Sequence, residues 1–252
     1  MCLIFISINQ HPDYKLVVAA NRDEFYNRKT APAQFWEDEP GILGGRDLEA
    51  GGTWLGVTKQ GKISMITNYR DPKNINPNAP SRGKLVSDFL SNETSGRDYL
   101  LNLSNAKSYN GFNLITGTAD ALYYFSNYRQ GVTEMKSGLF GLSNHLLDSP
   151  WPKVTKGKAM MNELLAKPFT SQDLFALLYN EGIASDDLLP DTGVGLERER
   201  ALSAMFIKSP GYGTRCSTVL LVDKKNNFTF SERVYDLSTF QFTEQTFSFT
   251  AS

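Results

Sequence analysis

The chain has 252 residues, of which 40% are hydrophobic and 21% charged, and its 26 basic and 27 acidic residues leave a net charge of −1. This balance, with basic residues scattered along the chain, excludes an electrostatic surface for nucleic acid. No apolar run approaches the ~20 residues that a membrane-spanning helix needs, and two cysteines cannot build a disulfide framework, which favours a reducing, cytoplasmic location.

Apolar runs and turn residues predict strands at both ends of the chain and helices in its middle. The first half predicts strands at 2–8 and 15–23, a hairpin over 53–69 that turns at 59–62, a helix over 81–92 capped by Ser81, and a helix over 96–107. The second half predicts strands at 112–118, 121–128 and 138–144, helices at 155–167 and 171–180, an exposed loop at 185–200, and strands at 202–209, 215–223, 226–236 and 244–250.

The order of these elements indicates the fold class. Strands come first and last, and the runs at 2–8 and 15–23 are nearly continuous in apolar residues, as in strands that are buried on both faces. The sequence therefore predicts an α+β protein with two stacked antiparallel sheets covered by helices. No linker or internal repeat interrupts the chain, so we expect a single domain over residues 1–252.

Cys2 has two interpretations. Free cysteine is among the most buried residue types, and Cys2 could simply open a buried strand. Alternatively, removal of Met1 would give Cys2 a free α-amine beside its thiol, which makes a nucleophile with its own base. An α-amine has an ordinary pKa of about 7.7–8.0, so a small decrease makes it a usable base near neutral pH.

The residue inventory excludes several other mechanisms. His11 and His145 are the only histidines, no G-x-S-x-G motif is present, and no cluster of His, Cys, Asp and Glu has the spacing of metal ligands. We therefore expect no metal and no cofactor. The glycines of residues 41–56 fit no phosphate-binding motif and predict turns, or alternatively a place where backbone approaches a ligand closely.

Polar residues at the ends of predicted strands are the remaining candidates. They are Asn21, Arg22 and Asp23 after the second strand, Asn68, Asn144 and Arg215. Each alone is typical of a solvated strand end. An N-terminal cysteine nucleophile requires a partner for its α-amine, donors for an oxyanion and a cation that lowers the thiol pKa. Together these residues can provide all three.

Six motifs in chain order give the sequence a family resemblance. They are Asn21-Arg22-Asp23-Glu24, GGTWLG at 51–56, TNYR at 67–70, SRG at 81–83, GLSN at 141–144 and GTRCSTV at 213–219, after the opening MCL. The pattern resembles the NRDE family, also called the transport and Golgi organisation 2 family. That family is in turn similar to N-terminal-nucleophile (Ntn) hydrolases of the choloylglycine hydrolase and penicillin V acylase type.

The resemblance implies a four-layer αββα sandwich and a set of site residues. Cys2 corresponds to the nucleophile, Asp23 to the aspartate near the α-amine, Asn68 and Asn144 to the asparagines flanking the oxyanion, and Arg215 to the late arginine. The arginine of the acylase pattern falls on Ala20, and Arg22 lies on the same strand face two positions later. Asn21 and Arg22 are therefore expected at the substrate.

Two functions follow from this resemblance. The first is an Ntn-type amidohydrolase that acts on a small acyl amide, with Trp54, Tyr69 and Trp151 as an acyl pocket or as ordinary core residues. The alternative is a non-catalytic binding or trafficking protein that holds haem, a lipid or acyl-CoA in the same cavity. Both need a small-molecule or hydrophobic ligand, and neither specifies an oligomeric state.

Overall fold

A computed structural model describes residues 2–251 of the chain. The strands are β1 Cys2–Ile8, β2 Tyr14–Phe25, β3 Thr30–Phe35, β4 Ile42–Asp47, β5 Leu55–Thr58, β6 Lys62–Asn68, β7 Phe112–Thr118, β8 Ala121–Ser126, β9 Thr133–Met135, β10 Gly138–Leu142, β11 Lys208–Ser209, β12 Tyr212–Asp223, β13 Asn227–Tyr235 and β14 Phe242–Thr250. The α-helices are α1 Gly83–Ser91, α2 Gly96–Leu101, α3 Pro152–Leu165, α4 Ser171–Leu178 and α5 Leu196–Leu202.

The strands form two antiparallel sheets of seven strands each. The first, sheet A, has the order β10-β1-β2-β12-β13-β14, with β11 paired to β12. The second, sheet B, is a meander in which β3 to β9 pair in chain order. Sheet A therefore joins the beginning of the chain to its end, whereas sheet B is built from one continuous segment.

Alternation along the strands produces four layers. Ile4 and Ile6 of β1 belong to the core between the two sheets, whereas Leu3 and Phe5 face the core that sheet A forms with α3 and α4. A third core lies between sheet B and the first two helices, where Phe89 is buried. These layers confirm the αββα sandwich predicted from the family resemblance.

Several element predictions were wrong. Residues 202–209 were expected to form a strand, but α5 ends at Leu202 and only Lys208–Ser209 pair as β11. Arg82, and not Ser81, is the N-cap of α1. The loop predicted at 185–200 contains a 3₁₀ turn at Asp186–Leu188 and the start of α5.

The predicted turns at residues 41–56 include a strand that sequence analysis missed. Gly44 lies within β4 opposite Gly56, and a Cβ on Gly44 would lie 2.7 Å from the carbonyl oxygen of Leu55. The glycine permits a close approach of two backbones, rather than a turn or contact with a ligand.

Candidate functional site

A cavity of about 610 Å³ lies where the ends of several strands meet. Six of the ten predicted site residues line it: Cys2, Arg22, Asp23, Trp54, Asn68 and Tyr69. They come from β1, β2, β6 and the segments beside β5 and β6, which pairing in the two sheets brings together. Strand ends thus converge on one cavity.

Cys2 is the first residue of β1 and is partly exposed in the cavity wall. Its Cα pairs with that of Arg22 on β2. Burial raises the pKa of the thiol, the Asp23 carboxylate raises it further, and the Arg22 guanidinium acts in the opposite direction. The expected removal of Met1 concerns a residue outside the described range.

Arg22 lies on the same face of β2 as Ala20, because alternate residues of a strand share a face, and both contribute to a small pocket beside Cys2. Its guanidinium lies over the ring of Trp54, 4.3 Å from the ring centroid. Glu24 is 3.8 Å away, yet Nη1 of Arg22 is buried without a hydrogen-bond partner among residues 2–251. The cavity wall beside the thiol therefore holds a desolvated cation.

Asp23 is fully buried and accepts a 2.7 Å hydrogen bond from the hydroxyl of Thr214 on β12. Burial raises the pKa of this carboxyl, while the nearby ammonium of Lys153 lowers it. The pairing of β2 with β12 holds Asp23, because its Cα lies opposite that of Thr214.

Lys153 is not among the residues predicted from the sequence, but its charge acts on Asp23 and Cys2. The side chain lies near the start of α3, is 2% exposed and makes no hydrogen bond with any described residue. Burial lowers its pKa to about 8, and its charge interacts with Asp23, Cys2 and Glu199. A lysine next to a helix start is usually solvated, so only its tertiary surroundings distinguish it.

The two asparagines occupy different positions. Asn68 ends β6 and lines the cavity, and its side-chain amide makes no hydrogen bond within residues 2–251 that would keep it from a ligand. Asn144 is fully buried beneath it, and its Nδ2 donates to the backbone carbonyl of Asn68 at 3.1 Å. The neighbouring Ser143 hydroxyl donates to the carbonyl of Cys2 at 3.4 Å. Asn68 is therefore the amide placed to contact a ligand.

Two further predicted residues do not line the cavity. Nδ2 of Asn21 donates to the carbonyl of Leu178 at 3.0 Å and to that of Met205 at 2.8 Å. Residues 21 and 22 point to opposite faces of β2, so Asn21 faces the helices of its layer rather than the cavity. Trp151 is the N-cap of α3, where its ring packs 4.6 Å from the guanidinium of Arg70.

Arg215 also lies outside the cavity lining. It is the extra residue of a β-bulge, because Thr214 and Cys216 of β12 pair with adjacent residues of β2. Its guanidinium donates to the backbone carbonyls of Phe25, at 2.9 Å, and of Arg28. In this position Arg215 supports the chain that leaves β2.

Segment 185–200 borders the cavity. Val194 and Arg198 contribute to its lining. The segment is fixed to the TNYR motif by Glu199, which is 4% exposed and pairs with Nη1 of Arg70 at 2.7 Å. This buried pair joins α5 to the residues that follow Asn68.

Residues 2–251 contain no group of three or more His, Cys, Asp or Glu side chains placed to hold a metal ion. None of the helices in the same range is long and apolar enough to cross a membrane.

The sequence is similar to that of a family of known proteins. The family model described as "Transport and Golgi organisation 2" matches residues 1–237. The mouse Transport and Golgi organization 2 homolog is 37% identical over 99% of both chains, and the human homolog is 37% identical over 92% of both. The Drosophila protein of that name is 30% identical, with 92% of this chain and 91% of that protein covered.

Two solved structures share the fold at low sequence identity. A Caenorhabditis elegans N-acylethanolamine-hydrolyzing acid amidase ortholog has a TM-score of 0.51 and 11% identity, with 88% of this chain and 92% of that chain covered. A mutant of conjugated bile acid hydrolase from Clostridium perfringens has a TM-score of 0.50 and 8% identity, with 100% and 97% covered.

Proposed function

This chain belongs to the Transport and Golgi organisation 2 family, and from its fold and cavity we propose that it hydrolyses the amide bond of a small acyl compound, with Cys2 as nucleophile. The observation that carries the proposal is the meeting of Cys2, Asp23 and Asn68 in one cavity, from three separate strands. Structural relatives named as an N-acylethanolamine-hydrolyzing acid amidase ortholog and as a conjugated bile acid hydrolase support it through the shared fold. The cysteine content favours the cytoplasm as its location.

The proposed reaction proceeds through an acyl-enzyme. The thiol of Cys2 gives its proton to the α-amine that removal of Met1 would free, and the sulfur bonds to the carbonyl carbon of the amide. The side-chain amide of Asn68 donates to the resulting oxyanion. The C–N bond then breaks, the leaving amine takes the proton, and water hydrolyses the thioester to release the acid and restore the thiol.

Asp23 and Arg22 have separate tasks in this scheme. Asp23, held by Thr214, is the anionic partner for the protonated α-amine. Arg22 is the nearest candidate for stabilising the thiolate, because it is the cross-strand neighbour of Cys2 and its charge already lowers the thiol pKa. It would thereby replace the arginine that the acylase pattern has at Ala20. Arg215 remains a predicted site residue whose observed contacts are structural.

The test is turnover of a panel of N-acyl amides by protein whose N-terminus has been checked by intact mass spectrometry. We expect Cys2→Ala to abolish hydrolysis and Cys2→Ser to retain a trace, because a hydroxyl is a weaker nucleophile. A variant with an uncleavable N-terminal extension should also be inactive. Equal rates for the extended and processed proteins would contradict the N-terminal mechanism, and saturable binding of haem or acyl-CoA without turnover would favour the binding alternative.

The two asparagines give a sharper prediction. Asn68→Ala should lower kcat by roughly 10²–10³-fold with little change in melting temperature, because it removes an oxyanion donor that makes no hydrogen bond with the described protein. Asn144→Ala should lower both kcat and melting temperature, because it removes a fully buried side chain and leaves the Asn68 carbonyl without its 3.1 Å donor. A larger kcat loss for Asn144→Ala at unchanged stability would assign the oxyanion to Asn144 instead.

A further inference from the structure

One wall of the cavity carries a guanidinium that makes no direct ion pair with a carboxylate of the described residues. Arg82 lines the cavity and donates from Nη1 to the carbonyl of Gly111 at 3.0 Å. Within residues 2–251 no carboxylate oxygen lies within 4.0 Å of its guanidinium, whereas Arg28 and Arg70 of the same cavity have partners at 2.7 Å. Burial lowers the pKa of Arg82 and outweighs the charge of Glu24, which acts in the opposite direction, so the lost hydration of this guanidinium is only partly compensated.

The same wall contains the start of a helix. Ser81, Arg82 and Gly83 all line the cavity, and α1 begins at Gly83. No side chain caps this end of α1, and its first turn contains no acidic residue. The positive end of the helix dipole therefore faces the cavity without an anionic side chain from its own first turn.

A second, independent observation comes from the opposite sheet. Arg22, on β2 of sheet A, is 5% exposed, and its Nη1 has no hydrogen-bond partner among the described residues. Buried polar atoms in proteins are almost always hydrogen-bonded, so an orphaned guanidinium nitrogen in a cavity wall indicates a missing acceptor. Both arginines are close enough to Cys2 for their charges to affect its thiol or to be affected by it.

We propose that the substrate carries an anionic group, a carboxylate or a phosphate, on its amine side, and that Arg82 and the N-terminus of α1 bind this group while Arg22 lies on the side next to Cys2. The inference rests on the proposed amide hydrolysis and specifies its substrate class. Guanidinium groups and helix N-termini recognise both kinds of anion. A neutral amide of the same length leaves these donors without an acceptor.

The test measures binding in a Cys2→Ala background, so that it does not depend on turnover. The probes are the lauroyl amides of glycine, O-phosphoethanolamine and ethanolamine, which differ in a carboxylate, a phosphate and a neutral hydroxyl. Isothermal titration at low salt should show at least tenfold tighter binding of one or both anionic amides than of the ethanolamine amide. The difference should shrink as salt is added.

Variants then locate the anion. Arg82→Met should weaken the anionic amides by roughly tenfold or more and leave the neutral amide unchanged, because it removes a charge-assisted hydrogen bond. Arg82→Gln keeps a hydrogen-bond donor for the carbonyl of Gly111, and it replaces Arg82→Met in the comparison if Arg82→Met has a much lower melting temperature. Arg97→Met, which removes an exposed arginine of α2 outside the cavity lining, is the matched control.

The outcomes separate this inference from the proposed function. Equal affinity for anionic and neutral amides, absence of binding by all three, or equal losses for all three in Arg82→Met would overturn the anionic subsite. Charge-selective binding by Cys2→Ala together with no hydrolysis by the unmodified protein would keep the subsite and contradict the hydrolase.

Discussion

Lys153 is a buried amine next to a cysteine, and its charge has consequences that do not depend on any substrate. Its Nζ is close enough to Cys2 and Asp23 for the three charges to interact. With a pKa of about 8 the side chain is mostly protonated at neutral pH. It therefore stabilises the ionised forms of both neighbours near neutral pH.

Removing this charge should raise the thiol pKa of Cys2. We expect Lys153→Met to slow alkylation by iodoacetamide at pH 7 by roughly three- to tenfold, since less thiolate is present. Intact mass measured over a pH series gives the thiol pKa, and Cys216 contributes little because it is 4% exposed. Lys156→Met, an exposed position on the same helix, is the control. Identical profiles for the folded Lys153→Met variant and the parent would remove Lys153 from the site.

Glu232 is a second buried ionisable residue, and it joins the two sheets. Its Oε1 accepts a 2.6 Å hydrogen bond from the backbone N–H of Ala33 on β3, although Glu232 itself lies on β13 of the other sheet. Burial raises the pKa of this carboxyl to about 7, against the opposing effect of that hydrogen bond. Near neutral pH the carboxyl is therefore only partly ionised.

This raised pKa predicts a pH-dependent stability. The folded state binds the proton of Glu232 more tightly than an unfolded chain with an ordinary pKa of 4.5. The contribution of protonated Glu232 to the free energy of unfolding is therefore complete below about pH 4.5 and is lost as the pH rises to about 7. The free energy of unfolding falls by up to about 1.4 kcal/mol per pH unit in this range. Glu232→Gln keeps an acceptor for Ala33 and should flatten this slope in urea titrations from pH 5 to 8. Glu134→Gln, at an exposed position, should keep it, and equal slopes for parent and Glu232→Gln would contradict the assignment.

Among the elements, α3 and β1 have the closest relation to the nucleophile. Gly157 of α3 lies against the Phe5 ring of β1, where a Cβ would overlap the ring. Val154 and Met161 of the same helix belong to the core that also contains Leu3, the residue after Cys2. The position of α3 therefore determines how close Lys153 comes to the start of β1.

Gly157→Ala tests this packing. Alanine favours a helix by about 1 kcal/mol over glycine, but overpacking of a filled core typically costs about 1–3 kcal/mol. We expect a net loss of stability, seen as a lower melting temperature, and slower alkylation of Cys2 if the helix shifts. Thr155→Ala, at an exposed position of α3, should change the melting temperature little. A higher melting temperature for Gly157→Ala would show that Phe5 moves aside without cost.

The elements also explain what could be predicted from the sequence. The long apolar runs of β1, β2 and β12 are unambiguous, and the polar residues at the ends of predicted strands include Asp23 and Asn68, which line the cavity with Cys2. The prediction of a strand at 202–209 was wrong because a short apolar run has the same sequence pattern whether it forms a buried strand or an irregular segment buried beneath helices. Met205, for example, is buried in that layer while its carbonyl accepts from Asn21.

Residues that depend on tertiary contacts could not be found in this way. Lys153 is unusual only because α3 packs over the start of β1. Arg215 is displaced from the cavity lining by a one-residue bulge, which no local pattern indicates. Sequence spacing predicts which residues end a strand, whereas the direction of a side chain near an irregularity depends on the partner strand.

At the scale of the whole molecule, the two sheets differ in the sequence separation between paired strands. Met65 pairs with Ile115 in sheet B, but Val18 pairs with Leu220 in sheet A. Closing a longer loop costs more conformational entropy, and contacts between distant residues form more slowly. Sheet B should therefore acquire stable pairing first.

Pulsed hydrogen exchange during refolding can measure this order. Peptides from β5 to β7 should become protected before peptides from β2 and β12, in protein diluted from urea. Protection of β12 before β6 would contradict this prediction, because it would mean that sheet A nucleates folding in spite of its long-range strand pairs. Because this readout follows the backbone alone, it is independent of any ligand or activity.

The pairing of β2 with β12 has a consequence for the chain as it leaves the ribosome. Translation makes β2 early, but the strand that covers its open side is complete only when residue 223 has been added. Until then a nearly continuous apolar strand presents unpaired N–H and C=O groups, which is a template for pairing with other chains. A premature stop between β2 and β12 should therefore yield an aggregation-prone product, recovered in inclusion bodies or degraded, rather than a shortened protein with a weakened site.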